Sequence, residues 1–290
     1  MIAYVIYPVV MGIALGIHLF LVHIGVSLEL ATYAPVILSG GSITVLEKVR
    51  PYRSSWKGSW KDFWQELKFI ALVQLLLPKL FTWGTLFFVA VWFPAISTIA
   101  TFWPHHMPVA IQAVWMLLSA DLLRYGLHRA AHEWSLPLWR FHAVHHSAKK
   151  LHWFNVGRFH PLEKLAQNLF DVLPFLLMGV SSEVLALYFV FYSVNGFFQH
   201  CNIEMKLGWL NYVISGPELH RWHHSKAIHE SNHNYGNNLI IWDLAFISYH
   251  LPKEDEVKSL GLINPDYPQG FQEQCTAPFV GDLDKTSKDS

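Results

Sequence analysis

The chain has 290 residues, of which 52% are apolar and only 14% are charged, and its formal net charge is zero. This composition excludes a disordered chain, argues against a nucleic-acid-binding protein, which needs a basic surplus, and with only two cysteines excludes a disulfide scaffold. A membrane protein or a very apolar enzyme remains, with an unusual supply of 18 histidines.

Long apolar runs begin at the N-terminus. A helix needs about 20 apolar residues to cross a bilayer core, and residues 2–25 form such a run with no acidic residue, lysine or arginine. No basic stretch with a cleavage pattern precedes it, so we expect no removable signal peptide. Residues 26–46 are ambiguous, because they either extend the first span or lie at the membrane interface. A second span is predicted over 69–99, interrupted by Lys79.

Two further apolar runs follow. Residues 109–127 predict a third span, with Asp121 and Arg124 in its last turns. Residues 165–198 are too long for one span and are broken at 179–183, which predicts a hairpin of two short helices. Because lipid-exposed segments must satisfy their own backbone groups, we expect helices throughout. A soluble protein with buried helices is the alternative, and the length of the uncharged runs argues against it.

The placement of lysine and arginine predicts the orientation in the membrane. Six of these residues lie between positions 48 and 68, six lie between 129 and 164, and none lies in 98–108. By the positive-inside rule the two basic stretches are cytoplasmic and the loop between them is outside. This assignment also places the N-terminus outside and residues 199–290 in the cytoplasm.

Eight histidines fall into three clusters. On a helix, positions i, i+3 and i+4 share one face, so each cluster can aim its imidazoles at one point. Two His-x-x-His-His triplets in one chain are rare by chance, and we interpret the pattern as a metal site. The clusters are His128 and His132; His142, His145 and His146; and His220, His223 and His224.

The number of histidines predicts two ions. A tetrahedral zinc site uses four ligands at most, so eight imidazoles exceed what one such ion needs. The clusters contain no cysteine, which a structural zinc site would normally recruit. Imidazole suits iron among other metals, and spare coordination positions would suit oxygen activation. Spacing alone leaves zinc and manganese open.

The residues around the clusters are also specific. They read Asp121-x-x-x-Tyr125-x-x-His128, Trp139-Arg140-Phe141-His142, Phe198-Gln199-His200-x-Asn202, Pro217-Glu218-Leu219-His220, Asn234-Tyr235-Gly236 and Ile241-Trp242-Asp243. In this order the chain resembles the fatty acid hydroxylase/sterol desaturase superfamily of membrane di-iron oxygenases, above all its bacterial-type sterol desaturase branch. Glu133, directly after the first cluster, also resembles the branch with alkylglycerol monooxygenase. The chain departs from the family at Phe246-Ile247-Ser248, where a small Gly-Thr ending is usual.

The resemblance implies an all-α fold, in which a cytoplasmic helical cap holds two non-haem iron ions above a small membrane helical bundle. It implies that the eight clustered histidines are iron ligands with His200 as a ninth, and it leaves His160 open between a ligand and a supporting role. The implied regions are an N-terminal transmembrane region (1–118), a catalytic domain that includes the membrane hairpin (119–251) and a C-terminal cytoplasmic tail (252–290).

Polar side chains near the clusters are candidates for supporting the ligands, because metal-bound imidazoles donate their other N–H to an oxygen. Asp121 and Glu133 are favoured as functional, since an acid within an apolar run is costly. The other candidates are Glu163, Glu218, Asp243, Asn155, Gln199, Asn202, Asn234 and Tyr235. The remaining histidines at 105, 106, 152, 229, 233 and 250 are expected at a surface or interface, and Trp134, Trp139, Trp153 and Trp222 in an interfacial belt.

The resemblance implies an O2-dependent oxidoreductase that hydroxylates or desaturates a membrane lipid. The chain has no dinucleotide fingerprint, no haem-attachment motif and no cysteine set for an iron–sulfur cluster. We therefore expect an external reductant, and the candidates are a ferredoxin, a cytochrome and a reduced pterin. We expect a multi-pass protein of the bacterial inner membrane, or of the endoplasmic reticulum in a eukaryote.

A non-redox membrane metalloprotein is the competing hypothesis. A zinc lipid hydrolase would need a water position and a base, which Glu133 could supply. A metal transporter would need ionisable residues along its spans, whereas the histidine clusters lie at the predicted cytoplasmic ends.

Overall fold

The computed structural model describes residues 2–92, 102–134, 136–253 and 256–281. Within these ranges the regular structure is helical, and extended backbone pairs only at isolated bridges, such as Pro51 with Ile203. The predicted all-α fold is confirmed. The helices are α1 (Ile2–His23), α2 (Leu28–Val49), α3 (Trp60–Lys68), α4 (Leu77–Trp92), α5 (Val109–Arg129), α6 (Leu136–His146), α7 (Pro161–Asp171), α8 (Leu173–Leu177), α9 (Ser182–His200), α10 (Pro217–His223), α11 (Ile228–Ser231), α12 (Ile241–Ala245) and α13 (Phe271–Thr276).

The ambiguous residues 26–46 form most of a second helix. The chain turns at Gly25, whose φ of 78° lies in the left-handed region that glycine adopts readily, and Ser27 then caps α2 by accepting from the N–H of Leu30. Three helices of the described chain are long and apolar enough to cross a membrane: α1, α2 and the continuous helix Trp60–Phe88.

The start of α1 and the end of α2 lie at the same end of the bundle. The N–H of Lys206 donates to the carbonyl of Ala3 (3.1 Å), and the N–H of Glu204 donates to the carbonyl of Arg50 (2.9 Å). The expectation that the N-terminus lies on the side opposite the basic residues after α2 is wrong. That expectation assumed a single crossing between them, whereas α1 and α2 form a hairpin.

The helix predicted over 69–99 begins earlier, at Trp60. Ser59 and Asp62 form a capping box at its start, and the charged turns of α3 face ion-pair partners, Glu66 with Arg158 and Asp62 with Lys150. A stretch of wide helical turns, Phe69–Leu76, joins α3 to α4. The predicted end of this span falls on residues 93–101, which lie outside the described ranges.

The predicted helix 109–127 is present as α5, and the hairpin predicted over 165–198 is present with one interrupted arm. Helices α7 and α8 form this arm because Pro174 lacks the N–H that a continuous helix would use. The turn into α9 contains Gly179, with φ 78°. Whether α5 and this hairpin cross the bilayer stays a prediction.

The tryptophans predicted for an interfacial belt have different environments. Trp222 is buried beside Trp56, so the prediction is wrong for it, because the third histidine cluster, which flanks it on α10, is buried as well. Trp139 packs against the rings of His132 and His146, whereas Trp134 is 67% exposed.

Candidate metal centre

The nine predicted ligands converge in two adjacent groups. In each group one nitrogen of every imidazole lies within 4.8 Å of the others. The rings of His146 and His224 bring the groups together, with 4.5 Å between their centroids. The five-histidine group contains His128, His132, His142, His146 and His223, and the four-histidine group contains His145, His200, His220 and His224.

Helical spacing explains why the clusters divide in this way. His142 and His146 are one turn apart on α6 and serve the first group, while His145, on a neighbouring face, serves the second. Along α10, His220 and His223 similarly serve different groups. The second and third clusters therefore each contribute to both groups, whereas His128 and His132 both belong to the five-histidine group.

Oxygen atoms fix four imidazoles of the five-histidine group. His128 Nδ1 donates to the carbonyl of Tyr235 (2.7 Å) and His223 Nδ1 donates to the carbonyl of His233 (2.8 Å). His142 Nδ1 lies 2.6 Å from Glu163 Oε1, and His132 Nδ1 lies 3.2 Å from Asn232 Oδ1. Partners of this kind set the tautomer and orientation of metal-binding histidines.

The four-histidine group has fewer such contacts. His145 Nδ1 donates to the carbonyl of Arg158 (3.1 Å), and His200 Nδ1 lies 2.9 Å from Asn155 Oδ1. The Nδ1 atoms of His220 and His224 are buried without a hydrogen-bond partner among the described residues. The two groups therefore share one ligand type but differ in how firmly the ligands are held.

The inward-facing nitrogens cannot satisfy one another. When Nδ1 carries the proton, Nε2 presents a lone pair, and four of the five Nε2 atoms of the first group are in this state. His128 Nε2 nevertheless lies 2.9 Å from His142 Nε2, and His146 Nε2 lies 3.1 Å from His223 Nε2. Converging lone pairs repel unless a cation lies between them, so the donor set fits a metal ion.

Burial keeps these imidazoles neutral, which is the form that binds a metal. Removal from water lowers the pKa of His145 to about 3 and that of His223 to about 4. Burial also lowers the pKa of His142 and of His146, and the neighbouring imidazoles add to the effect.

Of the ten polar side chains predicted to support the ligands, Glu163 and Asn155 form a hydrogen bond with an imidazole. Asp121 instead accepts hydrogen bonds from the N–H groups of Asn238 and Leu239, and Asp243 accepts from those of Tyr235 and Gly236.

Glu133 accepts hydrogen bonds from the hydroxyl of Tyr235 and from Arg129. Asp121 and Glu133 thus act on the segment 235–239 rather than on a ligand ring, and a catalytic role for them stays a prediction. The remaining five candidates, Glu218, Gln199, Asn202, Asn234 and Tyr235, hydrogen-bond within the loops around the centre through their side chains.

Sequence reasoning missed the carbonyl groups of Tyr235, Arg158 and His233, and the side chain of Asn232. Every residue carries a carbonyl, so no residue type marks such a position.

His160 contacts neither histidine group through its ring nitrogens. Its Nδ1 accepts a hydrogen bond from the N–H of Leu162, and its Nε2 lies 3.0 Å from the carbonyl of Cys275. These contacts assign it to the cap of α7 rather than to a ligand set.

The histidines outside the groups are partly as expected. His105, His106 and His229 are exposed, as predicted. His152 is buried at 7% exposure, so the surface prediction is wrong for it. The cause is that His152 begins the short helical turn at 153–157, which packs between α3 and α9.

A cavity of about 490 Å³ adjoins both groups. Its lining includes His128 and His142 of the first group and His145 of the second, and most of its wall is apolar. The lining also includes Ile37 on α2 and Leu75, whose side chains are 70% and 48% exposed. An apolar chain could therefore extend from the lipid-facing surface to the imidazoles.

The chain is similar in sequence to a known protein family and to several known enzymes. The model of the fatty acid hydroxylase family matches residues 113–248. Ornithine lipid hydroxylase OlsE of Rhizobium tropici is 36% identical over 240 residues, which are 82% of this chain and 72% of that protein. Alkylglycerol monooxygenase of Danio rerio is 31% identical over 148 residues, which are 51% of this chain and only 32% of that protein.

A delta(7)-sterol 5(6)-desaturase of Leptosphaeria maculans is 27% identical over 149 residues, which are 51% of this chain and 39% of that protein. No solved structure matches.

Proposed function

The chain belongs to the fatty acid hydroxylase family, and from this membership and the site we propose that it is an O2-dependent di-iron enzyme that hydroxylates or desaturates a membrane lipid. Its relatives are named as an ornithine lipid hydroxylase, an alkylglycerol monooxygenase and a sterol desaturase, which makes a lipid-modifying oxidoreductase the common activity. The observation that carries the proposal is the convergence of nine neutral imidazoles on two points beside a largely apolar cavity.

The number of converging nitrogens favours iron over zinc. A tetrahedral zinc site uses four ligands, whereas the first group offers five nitrogens.

The protein's own part in the reaction is to bind, orient and shield. Bound iron would supply the activation of O2 for attack on an unactivated C–H bond. The imidazoles would hold the two ions, and the apolar wall of the cavity would place a lipid chain beside them while excluding water. Hydroxylation consumes O2, two electrons and two protons and yields the alcohol and one water, whereas desaturation yields the alkene and two waters.

The electrons come from outside the chain in this proposal, because the described residues offer no second redox group. A ferredoxin, a cytochrome and a reduced pterin remain the candidates. The substrate is proposed as a fatty acyl, ether or sterol lipid, because the family model is that of fatty acid hydroxylases and relatives are named for an alkylglycerol and a sterol.

Metal analysis and labelled oxygen test the proposal together. We expect about two iron ions per chain in protein expressed with iron. In membranes given 18O2 and each reductant in turn, we expect lipid that has gained one 18O atom or lost two hydrogens, detected by mass spectrometry. Replacing His223 by alanine should abolish the product, and the exposed His229→Ala variant is the matched control.

Two outcomes would contradict the proposal. One is zinc as the sole metal together with hydrolysis of a lipid ester. The other is an iron-loaded protein that leaves the lipids unchanged with every reductant.

A further inference from the structure

The loops around the metal groups carry an exposed apolar surface. Its side chains come from two segments, 209–213 and 244–247, and Trp209 is its largest member, with 73% of its surface exposed. A contiguous apolar surface usually marks a site of contact with another protein or with a membrane. We call this surface the apolar rim, and it consists of Trp209, Tyr212, Val213, Leu244, Phe246 and Ile247.

The two segments of the apolar rim are in direct contact. The N–H of Ile240, at the start of α12, donates to the carbonyl of Val213 (3.0 Å). After α12, the ring of Tyr249 stacks on that of Tyr212, with 5.7 Å between the centroids. The rim is therefore one surface, although its segments are about thirty residues apart in the sequence.

Charged residues are missing from the apolar rim. Residues 207–214 include no acidic residue, lysine or arginine, and residues 239–249 include only Asp243. Asp243 is buried, and its carboxylate accepts hydrogen bonds from the N–H groups of Tyr235 and Gly236. Since a surface that faces water usually carries lysine, arginine, glutamate and aspartate, this composition indicates that an apolar partner covers the rim.

Both ends of the apolar rim meet a long helix. At one end, a Cβ atom on Gly208 would lie 3.2 Å from Tyr4 Cε1, so the backbone beside Trp209 packs on the first turn of α1. Helix α1 is long and apolar enough to cross a membrane, and Tyr4 is itself exposed. At the other end, the ring of Phe246 stacks on that of Tyr125 in α5, with 5.3 Å between the centroids. The rim therefore continues the exposed apolar surface of α1.

Ile247 has a conformation that the contacts of the described residues do not explain. Its φ of 60° lies in the left-handed region, which is costly for a β-branched residue. Its side chain is 91% exposed, so packing inside the protein does not offset this cost. Transfer of the side chain from water into an apolar phase is favourable, which gives this isoleucine a role outside the folded chain.

We propose that the apolar rim inserts into the interfacial region of the lipid bilayer and anchors the part of the chain that carries the metal groups. Tryptophan and tyrosine are enriched in that region of membranes, and the continuity with α1 favours lipid over a second copy of the chain. The anchor is connected to the metal centre, because Asp243 accepts from the N–H of Tyr235, whose carbonyl holds His128. The rim thereby sets the height of the five-histidine group above the lipid, whatever reaction the centre performs.

Fluorescence quenching tests the position of the apolar rim. The full chain is placed in phosphatidylcholine nanodiscs and labelled with bimane at Ile247→Cys or Trp209→Cys, in a Cys275→Ser background in which the remaining Cys201 is buried. The matched control carries the label at His229→Cys, a position that is also exposed. We expect brominated acyl chains to quench both rim labels. Iodide in the water should quench them about tenfold less than the control, because burial of an apolar group of this size favours lipid by at least that factor.

Two results would overturn the inference. If iodide quenched the rim labels as strongly as the control, the rim would face water. If neither quencher reached the rim labels and each nanodisc held two chains, a second copy of the chain would cover the rim instead of lipid. Labels at both ends of the rim guard against a local disturbance by one substitution, since both must report contact with lipid.

Discussion

The two histidine groups use the same ligand chemistry but are held by different means. In the five-histidine group, oxygen atoms of Tyr235, His233, Glu163 and Asn232 fix four of the rings. In the four-histidine group only two rings have such partners, and the Nδ1 atoms of His220 and His224 have none among the described residues. Ligand sets of the same chemical type can therefore differ in rigidity, and the five-histidine group should retain its ion more firmly.

Removing a ligand should give the largest effect and should show two separate sites. We expect His223→Ala and His220→Ala each to lower activity by at least about a hundredfold. Losing the hydrogen-bond partner of a ligand lowers metal affinity by about 10–100-fold, and losing the ligand itself should cost more. Iron analysis should show about one ion retained in each variant. Loss of both ions from either one would contradict the division into two groups.

Removing a side chain that hydrogen-bonds to a ligand tests the difference between the two histidine groups more finely. Glu163→Ala leaves His142 Nδ1 without its acceptor, and Asn155→Ala does the same to His200. Each change should weaken one ion by about 10–100-fold, measured by competition with a chelator. If Asn155→Ala weakened the ion of the five-histidine group instead, the assignment of partners to groups would be wrong.

Partial removal of metal from the unaltered protein should expose the same asymmetry. On dilution into a chelator we expect two phases of iron release, with the faster phase about tenfold faster, in line with the lower end of the effect of outer partners. The faster phase should belong to the four-histidine group, and it should therefore persist in His223→Ala, which alters only the five-histidine group. A single phase in the wild-type protein would argue that the two groups are equally firm.

The smallest expected effect concerns the loop behind the five-histidine group. Ile247 has φ 60°, a left-handed conformation that is costly for a β-branched residue, and its side chain is 91% exposed. Ile247→Gly should therefore stabilise the protein by about 1 kcal/mol, seen as a higher Tm. Because Ser248 N–H still donates to the carbonyl of Asp243, iron content should not change.

The sequence predicted the site better than its supports. All nine histidines that converge in the structure are singled out by helical spacing and by the resemblance, because the residue type itself carries the chemistry. The carbonyl of Arg158 could not be predicted, since its role depends on where the 153–157 turn lies in space. The free-energy cost of burying an acid in an apolar run favours a functional role for Asp121 over one for Glu163. In the structure, that cost is offset by hydrogen bonds that Asp121 accepts from the backbone N–H groups of Asn238 and Leu239, which are distant in sequence.

The fold likewise has parts that the sequence predicts and parts that it does not. The apolar runs predict most of the long helices, because these helices consist of continuous apolar residues. They did not predict α2, whose glycines, Gly40 and Gly41, and whose Glu29 and Glu47 lower its mean hydropathy. Glu47 is retained inside this helix because its carboxylate accepts hydrogen bonds from the N–H groups of Trp153 and Asn202, a contact that the linear pattern does not reveal.

The hairpin of α1 and α2 has a consequence for how the protein can be probed in living cells. Since Ala3 touches Lys206 and Arg50 touches Glu204, an epitope placed ahead of α1 and one placed beside Glu204 would face the same compartment. Antibody labelling of intact and permeabilised cells would then report the same accessibility for both positions, and a probe at the exposed His105 would report the opposite if the helices between them cross the bilayer an odd number of times.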